Sequence, residues 1–353
     1  MTDTVRIASF NAENLFERSK IFEVGASAQA LEAVVELNAE IERDEYDTAR
    51  IEELYGLVKD LVEVEQVHGK LLEGDHVVAR GRGDWVGWIV PRRERFDDQA
   101  IANTARVLRD VDADVLCLVE VESLPVLRHF GNDLLRYRKD GKRREYPHAM
   151  LIDSKDPRGI ELGLMTQPGF AIRGVQSHAD EGIFSRDCPE VQIELPGGPP
   201  LWVLLNHFKS DGYGDRQTND RLRTLQAQRV AGLLITRYDL EEDLVVVAGD
   251  LNATRDSESL KPLLAVPNLV DILAVAFPDP ADRWTCHRGC NEQLDYLLVS
   301  RPLAERFKAA GIERRGIHDL ARYSTRGERP YDTVTSESNS ASNHAAVWAD
   351  FAM

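Results

Sequence analysis

Six short segments each place a carboxylate, amide or imidazole at or beside the end of a strand-like apolar run. In chain order they are SFNAEN, with Asn11 and Glu13; LCLVEVE, closing on Glu120 and Glu122; and LLNHFKS, with Asn206 and His207. VVVAGDLNAT follows, with Asp250 and Asn252, then QLDYLLVS, with Asp295, and SNHAAVWADF, with Asn343 and His344. A site built from all of them draws on nearly the whole chain, which favours one large domain over residues 1–353 rather than two average ones. Oxygen ligands for a hard cation, combined with two separate histidines, suit metal-assisted cleavage of a phosphate ester.

Between these segments strands and helices alternate. VRIASF and DVLCLVEV read as buried strands, and the helix-like DDQAIANTARVLRDV precedes the second. IELGLMT, VQIEL and LWVLLNHF are the next strand candidates. From Arg216 to Tyr238, Leu222, Leu225, Val230, Leu233 and Leu234 recur at mostly helical spacing. LVVVAGD, LDYLLVS and AAVWADF are further apolar strands, and such alternation implies sheets covered by helices. The stretch from Ser19 to about Lys70 differs: rich in Glu, Ala, Leu and Val, it reads as two or more amphipathic helices. GRGDWVGWIVPRR then reads as a hairpin, whose Trp85 and Trp88 either pack under those helices or stack on a base-like ring. We therefore expect an α/β chain with a helical insertion over residues 19–88.

A net charge of −17 counts against a dedicated nucleic-acid-binding module, whose affinity comes from Lys and Arg on phosphates. It does not exclude a nuclease, because a bound divalent cation reverses the local field. Two basic clusters, Arg92, Arg93 and Arg95, and Lys142, Arg143 and Arg144, are either substrate contacts or solvated loops. No apolar run is long enough to span a bilayer, and the first strand begins almost at Met1, leaving no room for a signal peptide. The expectation is a cytoplasmic protein without a membrane partner. Cys117 lies in an apolar strand, whereas Cys286 and Cys290, flanking His287, are half a zinc site, paired thiols or plain buried thiols.

In VVVAGDLNAT a buried strand delivers Asp250 to its carboxyl end, and Asn252 follows in the turn. An anionic oxygen beside a neutral amide can hold a metal or align an attacking water, although Asp-x-Asn turns also arise for local reasons. Together with LDYLLVS and the terminal SNH strand, the chain resembles the endonuclease/exonuclease/phosphatase superfamily, the fold of pancreatic deoxyribonuclease and the apurinic endonucleases. The resemblance covers Val5 to Phe351 apart from the Ser19–Trp88 insertion. It implies a four-layer α/β/β/α sandwich, with helices outside two packed mixed sheets and a site at one edge. It also implies Mg²⁺- or Mn²⁺-dependent cleavage of phosphate esters in nucleic acids, inositol phosphates, sphingomyelin or nucleotides.

Carried over position by position, the resemblance makes Asn11 a metal-region residue, with Glu13 near a second ion, and Glu120 the principal metal ligand. His207 looks like the histidine near the leaving group, and Asp250 with Asn252 like the nucleophile-orienting pair. Asp295 looks like the carboxylate that orients His344, and Glu161 like a carboxylate that supports His207. Lys209, Arg158 and Arg186, near these motifs, are phosphate-contact candidates. The chemistry stands without the family. Attack on a phosphodiester needs an activated water, neutralised non-bridging oxygens and a proton for the departing alkoxide. A cation on Glu120 would supply the neutralisation, and an Asp295–His344 pair would act as general base or phosphate clamp.

One position departs from the family pattern, Ser342-Asn343-His344 standing where Ser-Asp-His is usual. An amide oxygen at this expected metal ligand coordinates a hard cation more weakly than a carboxylate. A natural variant with one tightly held metal, an impaired enzyme and an altered chain that traps substrate each account for it. The leading expectation is a metal-dependent hydrolase cleaving DNA. A phosphatase or diesterase on a small phosphorylated metabolite or lipid, and a non-catalytic scaffold of the same fold, are the alternatives.

Overall fold

Apolar runs without polar alternation need cover on both faces, and here they become the central strands of two sheets. The computed structural model describes residues 4–353 apart from 14, 16, 20–27, 96, 155–158, 181 and 213. The first six-stranded sheet runs His148–Ile152, Glu161–Thr166, Val115–Val121, Thr4–Asn11, Ala346–Ala352, Phe307–Glu313. Thr4–Asn11 lies parallel to Val115–Val121 and antiparallel to Ala346–Ala352. The second six-stranded sheet runs Ile172–Gln176, Glu190–Ile193, Leu201–His207, Leu244–Asp250, Asp295–Ser300, Leu269–Asp271. Its parallel pair is Leu201–His207 with Leu244–Asp250.

Successive side chains on a strand point to opposite faces, and both faces of these strands are apolar. Ile7, Cys117 and Leu164 of the first sheet meet Val203, Val246 and Leu297 of the second in one buried cluster. Ala8, Leu116 and Leu118 turn the other way, beneath Ile101, Leu108 and Phe130. Those three belong to the helices Asp98–Val111 and Leu124–Asp133. On the far side Leu204, Val245 and Val247 pack on Val230, Leu233 and Leu234 of the helix Arg216–Arg237. The layers are therefore helix, sheet, sheet, helix, as expected. The long helix begins where its spacing predicts, because the Asp215 carboxylate accepts the Thr218 N–H and caps it.

The insertion corrects the expectation in part. Helices Ala28–Ile41 and Thr48–Val58 form, but Val62–His68 is a strand paired antiparallel with Val86–Pro91. The first four residues of Val62–His68, VEVE, alternate apolar and acidic with period two, a strand pattern that composition alone hides; Gln66 and Val67 break the phase where the pairing register shifts. The GRGDWVGWIVPRR segment likewise does not fold back on itself; its second half pairs with Val62–His68 instead. These elements have their own apolar cluster, including Leu37, Ile51, Leu54, Val62, Leu71 and Trp85, that shares no member with the sheets. Trp85 packs there with its indole N–H on the Tyr46 hydroxyl at 2.7 Å, whereas Trp88 is half exposed. Arg92 donates to the Lys59 and Val62 carbonyls and Arg144 grips Asp112 through two nitrogens, so each basic cluster gives an arginine to the fold itself. Among the described residues no helix is long and apolar enough to cross a membrane.

Gly249 bends the Leu244–Asp250 strand at its end, with φ at 132°. A Cβ there would sit 1.9 Å from the Asn206 carbonyl oxygen of the neighbouring strand. Gly56, in an exposed helix position, would meet nothing within 4 Å. Gly249→Ala should destabilise the protein by about 3 kcal/mol or abolish folding, while Gly56→Ala should stabilise it by roughly 0.5–1 kcal/mol. Urea unfolding midpoints of the two variants test both signs.

Candidate active site

Strand register assembles the centre of the site. His207 stands opposite Asp250 across the parallel pair, and Asp250 stands opposite Asp295 across the next, antiparallel one. Three titratable residues thus occupy one row over three adjacent strands. The first sheet contributes Asn11, at the end of its strand opposite Val119, with Glu120 next along. The Asn11 amide donates across the gap between the sheets to Asp250 Oδ2 at 3.1 Å. The Ser342–His344 turn docks on the same edge: Ser342 Oγ donates to the Asn11 carbonyl at 2.8 Å and accepts the His344 N–H at 3.0 Å.

Asp250 Oδ2 lies 3.8 Å from His207 Nε2 and 3.8 Å from His344 Nε2. His207 Nε2 is in turn 3.6 Å from Glu120 Oε1. His344 Nδ1 pairs with Asp295 Oδ2 at 2.8 Å, and the Thr285 hydroxyl donates to that same oxygen at 2.6 Å. Asn252 donates to Asp250 through its backbone N–H at 2.8 Å and its side-chain amide at 3.1 Å. Asp250, Asp295 and His344 are buried, so their charges act in a weakly screened environment.

Burial, with Asp295 adding to it, pushes the Asp250 carboxyl up to about 6 against the opposing pull of His344, Arg288 and the Asn252 N–H. Burial also acts to lower the His344 pKa, but Cys286, Asp295 and Asp250 outweigh it and hold the imidazole well above its ordinary value. Three site residues carry left-handed backbone, Glu13 at φ 48°, Glu120 at 61° and Asn252 at 48°. Such conformations cost free energy in non-glycine residues and persist where surrounding structure imposes them.

Hydrogen bonds join Asn11, Glu13 and Asn343, and Glu120 follows Val119, the residue that stands opposite Asn11 on the next strand. The Glu13 N–H donates to Asn11 Oδ1 at 3.1 Å, and Glu13 Oε2 accepts the Asn343 N–H at 3.1 Å. The Asn343 side-chain oxygen is buried and has no hydrogen-bond partner among the described residues. An orphaned amide oxygen on a turn tied to Glu13, with Glu120 and Asn11 at adjacent strand ends, is a donor set whose chemistry fits a hard divalent cation. A second group of candidate ligands, Asp250, Asp295 and His344, brings its ligand atoms within 4.8 Å of one another.

Other expected residues stand further back. Glu161 is buried opposite Val121 and accepts the Ser154 N–H at 3.0 Å. Arg186 is buried and donates to the carbonyls of His207 and Phe208 at 3.2 and 3.3 Å, which braces the turn presenting His207. Lys209 is buried with its ammonium on the Ser210 carbonyl at 2.8 Å. Arg158 lies outside the described residues. Glu122 points inward and accepts the Leu15 N–H at 2.9 Å. All four cysteines are free, Cys286 buried and Cys290 exposed.

The sequence reading missed Arg288 and Thr285. Arg288 Nη2 lies 3.3 Å from His344 Nε2, and burial, which would lower its pKa, is outweighed by Cys286, Asp250, Glu13 and Glu120. Its signal in the sequence is a basic residue between two cysteines just upstream of Asp295, without periodic context.

The model of the Endonuclease/Exonuclease/phosphatase family matches residues 79–325. No curated protein matches the chain in sequence. Among solved structures, truncated TDP2 from Caenorhabditis elegans is similar at 17% identity and a TM-score of 0.51, over 72% of this chain and 92% of that one. TDP2 from D. rerio complexed with single strand DNA product is similar at 14% identity and a TM-score of 0.50, over 71% and 92%. An AP endonuclease from Archaeoglobus fulgidus has 15% identity and a TM-score of 0.49, over 72% and 95%. At these identities the likeness is one of fold.

Two measurements probe the site directly. A low-field imidazole proton from His344 Nδ1 should appear in the NMR spectrum and vanish in Asp295→Asn. For Asp250 the sign follows from its raised value: the folded protein holds the proton at pH values where the unfolded chain has lost it, so the carboxyl's contribution to stability falls as pH rises from about 4 to about 6. In chelator, the stability of Asp250→Asn relative to the unsubstituted protein should therefore increase over that window, by about 3 kcal/mol at most. Urea midpoints at pH 4, 5, 6 and 7 check it; a difference that stays flat or moves the other way refutes it.

Proposed function

Since this chain belongs to the endonuclease/exonuclease/phosphatase family, we propose that it is a divalent-cation-dependent phosphodiesterase that cleaves DNA. The observation that carries this reading is the placement of one buried carboxylate oxygen, Asp250 Oδ2, 3.8 Å from each of two imidazole nitrogens. A carboxylate that can take a proton from water, beside one imidazole that can give a proton to the leaving oxygen and another that can hold the phosphate, is what in-line hydrolysis requires.

Asn11, Glu13, Glu120 and Asn343 would hold Mg²⁺ or Mn²⁺, which when bound neutralises charge on the non-bridging phosphate oxygens. We favour this group over Asp250, Asp295 and His344 as the cation site. His344 Nδ1 and Thr285 both already engage Asp295 Oδ2, and hard cations prefer all-oxygen shells that keep water. Asp250, with its pKa near 6, accepts a proton from the attacking water better than an ordinary carboxylate at neutral pH, and Asn252 fixes its orientation. His344, held as imidazolium by its carboxylate neighbours, acts as a phosphate clamp rather than as a base. Its Nε2 and the Arg288 guanidinium are two donors 3.3 Å apart, which an anionic phosphate oxygen would bridge. His207 protonates the leaving oxygen, and Arg186 and Glu161 support it from behind. Four free thiols suit a reducing compartment, and we place the protein in the cytoplasm.

The test uses supercoiled plasmid, linear DNA, RNA and a chromogenic bis-aryl phosphate, each with Mg²⁺, Mn²⁺ or EDTA. DNA cleavage should be abolished by EDTA and should fall at least about 10²-fold in His207→Ala and in Asp250→Ala. Asn343→Asp should keep or raise turnover and tighten cation binding; a clear drop removes Asn343 from the ligand set. Hydrolysis confined to the bis-aryl ester would move the substrate to a small phosphate ester. No hydrolysis under any cation would leave a binding scaffold.

A further inference from the structure

A cavity of about 650 Å³ opens beside the site and shares two walls with it, Asn252 and Arg288. That volume lies within the usual range for ligand pockets. Its other side is formed by the first turns of the helix Arg216–Arg237, with Arg216 and Arg221 on the rim. The helix terminus itself is not the feature of interest, since the Asp215 carboxylate already caps it.

Charge around the cavity nearly balances, and two of its arginines are left without a carboxylate of their own among the described residues. Asp211 and Asp220 both bind the buried Arg223 guanidinium, at 2.8 and 2.6 Å. Asp256 accepts the Thr254 hydroxyl at 2.7 Å, and Glu258 is ion-paired with Lys261. Neither Arg216 nor Arg221 has an ion-pair partner among the described residues, and both are exposed. With one aspartate in excess over Arg223, and Asp256 and Glu292 still charged, the three arginines Arg216, Arg221 and Arg288 bring the lining close to neutral. On a chain with net charge −17 a near-neutral lining with two unpaired arginines repels a polyanion less than the average surface does, and it is contiguous with the residues that would handle the scissile phosphate.

We propose that this cavity is a second phosphate subsite: Arg216 and Arg221 receive a phosphodiester flanking the scissile one, on a DNA strand that enters past Arg288. The proposal rests on the nuclease reading and deepens it, since it makes the preferred substrate a strand with consecutive phosphates rather than an isolated ester. It also explains how so acidic a chain holds a polyanion. Most of its surface repels the strand, and contact is confined to this rim and the catalytic edge.

Salt dependence of binding tests it without needing turnover. Binding of a fluorescein-labelled decathymidylate is followed by anisotropy in EDTA from 50 to 200 mM KCl. Each phosphate contact on a single strand contributes about −0.7 to the slope of log K against log salt. Arg216→Ala and Arg221→Ala should each flatten the slope by about 0.7, and the double variant by about 1.4, with binding roughly tenfold weaker at the low-salt end. Arg216→Lys with Arg221→Lys should keep the slope, and matched thermal melts guard against unfolding. An unchanged slope in the double alanine variant overturns the subsite, as does failure of the lysine variant to preserve it. So does binding by the unsubstituted protein weaker than about 100 μM, the weak end of non-specific affinity. Cleavage of the same oligonucleotide with Mg²⁺ is scored separately. Slope loss without cleavage sinks the hydrolase reading alone, and cleavage with an unmoved slope sinks the subsite alone.

Discussion

A carboxylate buried where two sheets meet is the constraint around which this protein is organised. Desolvating a charge costs several kcal/mol unless hydrogen bonds and opposite charges replace water. Asp250 is therefore given an amide from the opposite sheet, Asn11, a backbone and a side-chain donor from Asn252, and a histidine on either side. None of these partners would be in place without the packing of Ile7 and Cys117 against Val203 and Val246, which sets the distance between sheets. Core and chemistry are coupled through one side chain. The same burial that makes Asp250 expensive to keep charged brings its affinity for protons into the range useful near neutrality.

Positioning in this site comes mostly from backbone register and little from loops. His207, Asp250 and Asp295 are aligned because parallel and antiparallel pairing place them opposite one another. Sheets resist the small displacements that loops allow, and a misplacement of about 1 Å can cost about 10²-fold in rate. The loop residues that do contribute are fixed individually: Thr285 by backbone donors from Leu294 and Asp295, and Ser342 by its bond to Asn11.

The sandwich and its central residues were legible because apolar runs ending in a polar residue specify both a buried strand and what it delivers. LVVVAGD announces Asp250, and LDYLLVS announces Asp295. Two features were obscured for different reasons. Val62–His68 sits in a stretch whose bulk composition is that of a helix, and only the Val–Glu alternation of its first four residues gives the strand away. Arg288 has no periodic context at all; it reaches His344 because a two-residue ribbon, Cys286–His287 against Asn291–Glu292, carries its loop over the site. Long-range placement of that kind is decided by tertiary packing, beyond the reach of local pattern. Lys209, two residues past His207, and Arg186, on an earlier segment, show the converse, cations that fold inward onto main-chain carbonyls.

The segment between the first strand and the helix Asp98–Val111 has an apolar centre of its own, and the chain enters and leaves it side by side, Glu17–Ser19 lying antiparallel to Arg93–Arg95. With entry and exit already adjacent, a tight turn could bridge them. An appendage joined in this way is separable in principle: replacing it by such a turn would leave unbroken every strand that carries the site.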